Sequence, residues 1–197
     1  LFKNLTLGFD PNLFTANQIK KFFLKHNKTK QIKKNLIDGN YIDSSYQSKP
    51  FFSLQKNIVG ECHKKKINRL VEYMRKNNSD YIFVTAPENV AWLMNIRGHD
   101  SPHSPLPNCR IFVKKNKKIF IIAKKRKLTR LIKEKKINKN QIIEPENFDF
   151  FIKNIDKGKI IIDEKTCSLS FQNKLEKKLI ISKKKDPIYL LKSIKNK

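Results

Sequence analysis

Three side chains of types that bind metal ions fall close together in one short segment. His99, Asp100 and His103 share this segment with Pro102 and Pro105. Imidazole and carboxylate groups bind zinc and similar ions, but a zinc site needs four ligands in a tetrahedral arrangement. A proline-rich segment is extended, so it does not bring positions i and i+4 together as a helix does. We therefore expect a polar loop here, with a metal site as the alternative.

A second candidate is the carboxylate pair Glu144 and Glu146, the residue types that act in acid–base catalysis. Pro145 separates the two carboxylates and lysines surround them, which favours a solvated turn. The sequence contains no nucleophile elbow, no glycine-rich phosphate loop and no Cys-x-x-Cys pair, and its five glycines leave little room for such loops. The residues alone therefore predict no catalytic group.

The elements that hold the first segment have clear signals. Residues 80–84 form a compact apolar run that is typical of a buried strand. Thr85 and Glu88 have the spacing of a capping box, and Pro87 suits the first turn of the helix that follows. This helix should end by Gly98, and a stiff, extended loop should follow it over residues 99–108. We call residues 99–108 the His99 loop.

Short apolar runs alternate with helical patterns along the rest of the chain. Strands are predicted at residues 5–9, 31–32, 110–113, 119–123, 142–143, 160–162 and 179–181, and helices at 15–25, 61–77, 127–136, 148–155, 168–178 and from 188 to the end. This alternation predicts an α/β fold with helices on both faces of one sheet, in three α/β/α layers. The runs at 110–113 and 119–123 predict a hairpin, so the sheet should be mixed.

Two further helices have predicted caps. Thr15 and Gln18 have the spacing of a capping box, in which each side chain binds the other residue's backbone amide. Asp186 precedes Pro187 at the start of the last predicted helix, where an acidic N-cap and a proline at the first position are both favourable.

The net charge of +27 raises the question of a nucleic-acid-binding protein. The chain holds 38 Lys but 6 Arg, and Lys, Asn, Ile and Phe, the residues of A/T-rich codons, make up about half of it. Specific nucleic-acid binding relies on arginine for bidentate contacts to bases. We therefore expect no nucleic-acid partner, and a basic nucleic-acid-binding module remains an alternative.

The cysteines and the apolar runs indicate in which cellular compartment the protein is expected. The three cysteines, Cys62, Cys109 and Cys167, are far apart and odd in number, which favours free thiols in a reducing compartment. The longest apolar runs, such as residues 119–123, are too short to cross a bilayer. We expect a cytoplasmic protein without a membrane partner.

One long segment resembles a known family. The run Pro87–Pro105 resembles a helix and loop in the second domain of the three-domain type of Xaa-Pro aminopeptidase (aminopeptidase P), which has the form Pro-Glu-x-Val-Ala-Trp-Leu-x-Asn-x-Arg-Gly-x-Asp-x-Pro-x-x-Pro. Residues 7–11 and 186–196 resemble other segments of the same family, in the same order. Residues 41–50 depart from it, because they lack the Trp and the Arg-Pro expected there.

The resemblance implies a creatinase/prolidase-type N-terminal region without catalytic residues. It implies a remnant of a first domain at 1–36, a linker at 37–58, a second domain at 59–185 and, at 186–197, the start of the helix leading into a catalytic domain. That catalytic domain would bind two divalent metal ions, with manganese preferred, while this chain supplies no metal ligand and binds no cofactor. The implied partners are a proline-containing peptide, the catalytic domain and a second subunit in a homodimer.

For the site, the resemblance and the loop together indicate Arg97, His99 and Asp100 as candidates that line the substrate cleft or a domain interface. The alternative is that Arg97 pairs with Asp100 and both hold the loop. A prolidase-like or creatinase-like enzyme remains a second functional alternative, because related N-terminal domains serve several enzymes.

Overall fold

The computed structural model describes residues 4–24, 27–32, 35 and 49–194. The strands are β1 (Thr6–Phe9), β2 (Lys28–Gln31), β3 (Phe52–Ser53), β4 (Tyr81–Val84), β5 (Ile96–Arg97), β6 (Arg110–Lys114), β7 (Ile119–Ile122), β8 (Ile142–Ile143), β9 (Gly158–Ile162) and β10 (Leu179–Lys183). The helices are α1 (Ala16–Phe22), α2 (Lys56–Val59), α3 (His63–Lys76), α4 (Pro87–Met94), α5 (Lys125–Lys133), α6 (Phe148–Lys153), α7 (Leu169–Glu176) and α8 (Ile188–Ser193). No helix among these residues is long and apolar enough to cross a membrane.

Six of the described strands form the main sheet, in the order β10-β9-β4-β6-β7-β8. β4, β9 and β10 run parallel to one another. β6 runs antiparallel to both β4 and β7, and β8 is parallel to β7. The sheet is therefore mixed, as the sequence predicts, and β6–β7 is the predicted hairpin.

Helices cover both faces of this sheet, because the buried strands alternate their side chains between two cores. In β4, Ile82 and Val84 belong to one core, while Tyr81 and Phe83 belong to the other. The first core is closed by side chains of α3, α4, α5 and α8, and the second by side chains of α6 and α7. The predicted three-layer α/β/α architecture is confirmed.

The N-terminal segment packs against the start of α7. The backbone amide of Leu169 donates to the Phe14 carbonyl at 2.8 Å, and the Ser170 amide donates to the Pro11 carbonyl at 2.9 Å. Beside this contact, β1 and β2 pair in parallel, and α1 begins with the predicted capping box of Thr15 and Gln18. The described part of the N-terminal segment is thus tied to the main sheet through α7.

The predicted capping box at α4 is wrong. The helix begins after Ala86 without a side-chain cap. The Thr85 hydroxyl instead lies 2.7 Å from the Thr166 hydroxyl, and the Glu88 carboxylate accepts a hydrogen bond from the Tyr189 hydroxyl at 2.8 Å. These partners are distant in sequence, but tertiary packing places them beside the start of the helix. Thr85 and Glu88 therefore bind them instead of capping the helix.

Two elements lie where the sequence predicts a linker. β3 pairs antiparallel with β5, and α2 follows it. Residues 37–48 of that linker lie outside the described residues. The domain boundaries therefore stay a prediction.

Candidate functional site

The end of α4 leads the chain towards the His99 loop. Asn95 ends the helix in the left-handed region, with φ of 53°. Its side-chain amide donates to the Glu61 carbonyl at 2.8 Å, and its side-chain oxygen accepts from the Lys66 ammonium at 2.5 Å. Asparagine tolerates this conformation better than most residues, and here its side chain also fixes the turn to the segment before α3.

Lys66 is a buried cation beneath this turn, with 3% of its surface exposed. Its ammonium donates to the Trp92 carbonyl at 2.9 Å and lies 4.1 Å from the centre of the Trp92 ring. Burial lowers the pKa of Lys66 to about 8, and the nearby Glu61 carboxylate offsets part of that effect. Lys66 therefore joins α3 to the C-terminal end of α4, where a cation also meets the negative end of the helix dipole.

Arg97 lies in β5, opposite Phe52 of β3. Its guanidinium donates to the Ile96 carbonyl at 2.9 Å and to the Ala91 carbonyl at 3.4 Å. The side chain therefore turns back onto α4 and is half-buried. It does not pair with Asp100, in contrast to the alternative considered from the sequence.

Asp100 has different partners. Its carboxylate forms an ion pair with Lys127 of α5, and the side chains of Asp100 and Lys127 are 10% and 20% exposed. The same carboxylate accepts a hydrogen bond from the Asn108 amide at 2.7 Å. Asp100 thus fixes both ends of the His99 loop to each other and the whole loop to α5.

The His99 loop folds back on itself rather than extending as predicted. The Gly98 amide donates to the Pro105 carbonyl at 3.1 Å, and Ser101 pairs with Ser104 in an isolated bridge. A side chain at Gly98 would place its Cβ 2.7 Å from the Cα of Pro107. The close return of the chain therefore requires glycine at this position.

His99 is the exposed member of the three candidates. Its imidazole stacks on the Phe52 ring, with 5.4 Å between ring centres and 29° between planes. The Arg130 guanidinium of α5 lies 5.6 Å from the centre of the same ring. The imidazole is therefore held by an aromatic contact and remains open to solvent on its other side.

The candidate metal ligands do not form a metal site. The Asp100 carboxylate faces Lys127 and the Asn108 amide, and His103 is exposed. Across the described residues, no group of three or more His, Cys, Asp or Glu side chains is arranged to hold a metal ion. The donor set of the described residues does not fit a divalent metal centre.

Glu144 and Glu146 lie in a solvated turn, as the sequence predicts. Glu144 accepts from the Lys125 backbone amide at 2.8 Å, and Glu146 forms an exposed ion pair with Lys124. The ion pair lowers the pKa of Glu146. Neither carboxylate is placed as a catalytic acid or base.

Sequence reasoning missed Lys66 and Lys127. Lys66 precedes Leu70 and Met74 at four-residue spacing, so it lies on the apolar stripe of α3, and this position is a signal that it points inward. No comparable signal marks Lys127, because its partner Asp100 is 27 positions away.

Comparison with known proteins identifies one family. Residues 43–197 match the family model of the creatinase/prolidase N-terminal domain. The Xaa-Pro aminopeptidase app-1 of Caenorhabditis elegans is 31% identical over 119 residues, which are 57% of this chain and 19% of that protein. A probable Xaa-Pro aminopeptidase P of Laccaria bicolor is 33% identical over 116 residues, which are 54% of this chain and 18% of that protein.

The Xaa-Pro aminopeptidase 1 of Dictyostelium discoideum is 29% identical over 161 residues, which are 77% of this chain and 24% of that protein. The chain therefore spans about a quarter or less of the length of these curated relatives. Among solved structures, an X-prolyl aminopeptidase from Caenorhabditis elegans, described as a cytosolic enzyme with a di-nuclear active site, matches with a TM-score of 0.80 at 22% identity. That match covers 100% of this chain and 34% of the other, and it shows that the two share a fold.

Proposed function

The chain belongs to the creatinase/prolidase N-terminal domain family, and from this membership we propose that it forms the non-catalytic N-terminal region of an Xaa-Pro aminopeptidase. The family resemblance of Pro87–Pro105 is thereby confirmed. The observation that carries the proposal is the family match over residues 43–197, together with relatives named as Xaa-Pro aminopeptidases. In this proposal, the whole enzyme hydrolyses the bond between an N-terminal residue and a following proline.

The chemistry of that reaction lies outside this chain in our proposal. Two divalent metal ions, with manganese preferred, would supply an activated water to attack the peptide carbonyl. The described residues offer no ligand set for such ions. We therefore assign this chain the task of supporting the catalytic domain and shaping one side of its cleft, in a cytoplasmic homodimer.

Within this task the three candidate residues have different roles. Arg97 and Asp100 position the loop, because their polar groups are already bound to α4, to α5 and to the loop itself. His99 is free to contact a substrate or a neighbouring domain, because it is exposed and held at the Phe52 ring. A rigid scaffold that presents one accessible side chain suits a cleft wall.

The proposal is tested with the full-length protein that contains this chain. We expect it to release arginine from Arg-Pro-Pro and not from the matched peptide Arg-Ala-Pro, and to lose this activity in the presence of a chelator. The isolated chain of 197 residues should release no arginine from either peptide. Release by the isolated chain, or equal cleavage of both peptides by the full-length protein, would contradict the proposal. Cleavage of the dipeptide Arg-Pro alone would favour the prolidase-like alternative.

A further inference from the structure

Arg110, the first residue of β6, has an unusual environment for a half-buried arginine. Its guanidinium carbon lies 4.7 Å from the centre of the Phe171 ring. No carboxylate, carbonyl or hydroxyl among the described residues accepts a hydrogen bond from it. Burial lowers the pKa of Arg110. The side chain is therefore stacked on an aromatic ring, while its five N–H donors have no protein acceptor among the described residues and reach solvent.

The other half-buried arginines of the described chain have oxygen partners. Arg69 forms an ion pair with Glu61, and Arg97 donates to two backbone carbonyls. Arg110 is therefore the half-buried arginine of the described residues without a protein acceptor, and its N–H groups are open to solvent and to a ligand.

The strand register places one hydroxyl-bearing residue opposite this arginine. Val84 pairs with Ile111 in the sheet, which places Arg110 opposite Thr85 on the same face. The Thr85 hydroxyl contacts the Thr166 hydroxyl at 2.7 Å. Two residues further along the chain, the Ser168 hydroxyl is buried and has no hydrogen-bond partner. At this edge of the sheet the Ser168 hydroxyl is thus without a protein partner, while the two threonine hydroxyls are bound to each other.

The position in the sheet also favours a ligand. Thr85 and Thr166 follow the carboxyl ends of β4 and β9, and β4 has a parallel neighbour on one side and an antiparallel neighbour on the other. In open α/β sheets, ligands bind outside the carboxyl ends of the strands. The first amides of α7 are already bound to the Phe14 and Pro11 carbonyls, so the guanidinium is the principal donor available here.

We infer that Arg110 is the centre of a binding site for an oxyanion, a carboxylate or a phosphate group, with Phe171 holding the guanidinium plane. Stacking against an aromatic ring leaves the edges of a guanidinium open, and two of its N–H groups match the two oxygens of a carboxylate or a phosphate. The inference does not rest on the proposed peptidase function, because it uses only the environment of Arg110.

Nitrogen-15 NMR of the arginine side chains tests the site directly. The chain contains six arginines, so their Nε–Hε signals can be assigned one by one with Arg→Lys variants. Acetate and inorganic phosphate are titrated separately against chloride at constant ionic strength, and the two arms distinguish a carboxylate site from a phosphate site. We expect the Arg110 signal to shift saturably with one or both anions, with a Kd on the order of 1–10 mM.

Arg126 is the matched control, because it is exposed and belongs to the same strongly basic chain. Its signal should shift weakly and without saturation. A linear response of Arg110 to both anions up to about 100 mM, or equal shifts of Arg110 and Arg126, would overturn the inference, because non-specific attraction to a chain with a charge of +27 would then explain the result.

The variant Arg110→Met gives an independent readout. If the guanidinium serves a ligand, its replacement by an apolar side chain of similar length leaves the thermal midpoint in chloride buffer unchanged or raises it. The same variant should lose the added stability that saturating anion gives the unsubstituted chain. If the thermal midpoint of Arg110→Met in chloride buffer is several degrees below that of the unsubstituted chain, Arg110 is a structural residue instead.

Discussion

At the scale of single residues, one shielded ion pair, between Asp100 and Lys127, holds the His99 loop to α5. Asp100 and Lys127 are 10% and 20% exposed, so loss of either partner leaves a charge with little access to water. We expect Asp100→Asn or Lys127→Met to lower the free energy of unfolding by about 2–3 kcal/mol in urea denaturation. The double variant should lose less than the sum of the two single changes, because it leaves no unpaired charge.

Lys124→Gln is the control for this prediction, since it removes an exposed pair with Glu146. It should change the free energy of unfolding by no more than about 0.5 kcal/mol. Equal effects of Lys124→Gln and Lys127→Met would show that the Asp100–Lys127 pair does not hold the loop.

His63, the first residue of α3, makes the stability depend on pH. Burial, assisted by the positive charges of Lys136, Lys64 and Lys66, lowers its pKa to about 4. The folded state therefore binds this proton less readily than the unfolded state, whose histidine has a pKa near 6.5. The stabilising effect is fully present above pH about 6.5 and is lost progressively as the pH falls towards about 4.

We expect His63→Gln to remove this pH-dependent part of the unfolding free energy, which amounts to about 1–2 kcal/mol between pH 7 and pH 4 after allowance for solvent screening of the half-buried ring. Urea denaturation at several pH values measures the difference from the unsubstituted chain. His103→Gln is the control, because that side chain is exposed. If the difference in unfolding free energy between the His63 variant and the unsubstituted chain stays constant from pH 7 to pH 4, the lowered pKa of His63 is contradicted.

At the scale of elements, the turn from β5 into the His99 loop needs a residue without a side chain. A Cβ at Gly98 would lie 2.7 Å from the Cα of Pro107 and 2.9 Å from the Leu106 oxygen. Both are backbone atoms, so they can move away only if the backbone of the loop shifts. Gly98→Ala should lower the free energy of unfolding by about 1–3 kcal/mol. It should also raise hydrogen exchange at the Gly98 amide, which donates to the Pro105 carbonyl.

Ser101→Ala in the same loop is the matched control and should leave the hydrogen exchange of Gly98 unchanged. If Gly98→Ala has the same free energy of unfolding as the Ser101 variant, and the same protection of the residue 98 amide from hydrogen exchange, then the loop does not require glycine at this position.

Elements with strong local signals were predictable from the sequence. The apolar run of β4, the proline at the start of α4 and the capping box of α1 appear where the local pattern indicates. β3 was not predictable, because Phe52 and Ser53 become a strand only through pairing with β5. The cap at Thr85 failed for a related reason, since its hydroxyl is bound to Thr166, 81 positions away.

At the scale of the whole molecule, the alternation of apolar runs and helical patterns was sufficient to predict a mixed sheet between two helical layers. The candidate site was predictable only in part. The sequence indicated Arg97, His99 and Asp100 as candidates, and this stays a prediction, but their partners come from α4, β3 and α5 and depend on how these elements pack. Side-chain contacts over such separations have no local signature in the sequence.

In the proposed function, this region presents His99 to the cleft of an Xaa-Pro aminopeptidase. The most direct measurement is kcat/KM for arginine release from Arg-Pro-Pro by the full-length protein, compared between His99→Ala and Ser101→Ala. We predict a loss of about tenfold for His99→Ala, equivalent to about 1.4 kcal/mol, with an unchanged thermal midpoint, and no loss for Ser101→Ala. Equal kcat/KM for the His99 variant and the unsubstituted enzyme would contradict the claim.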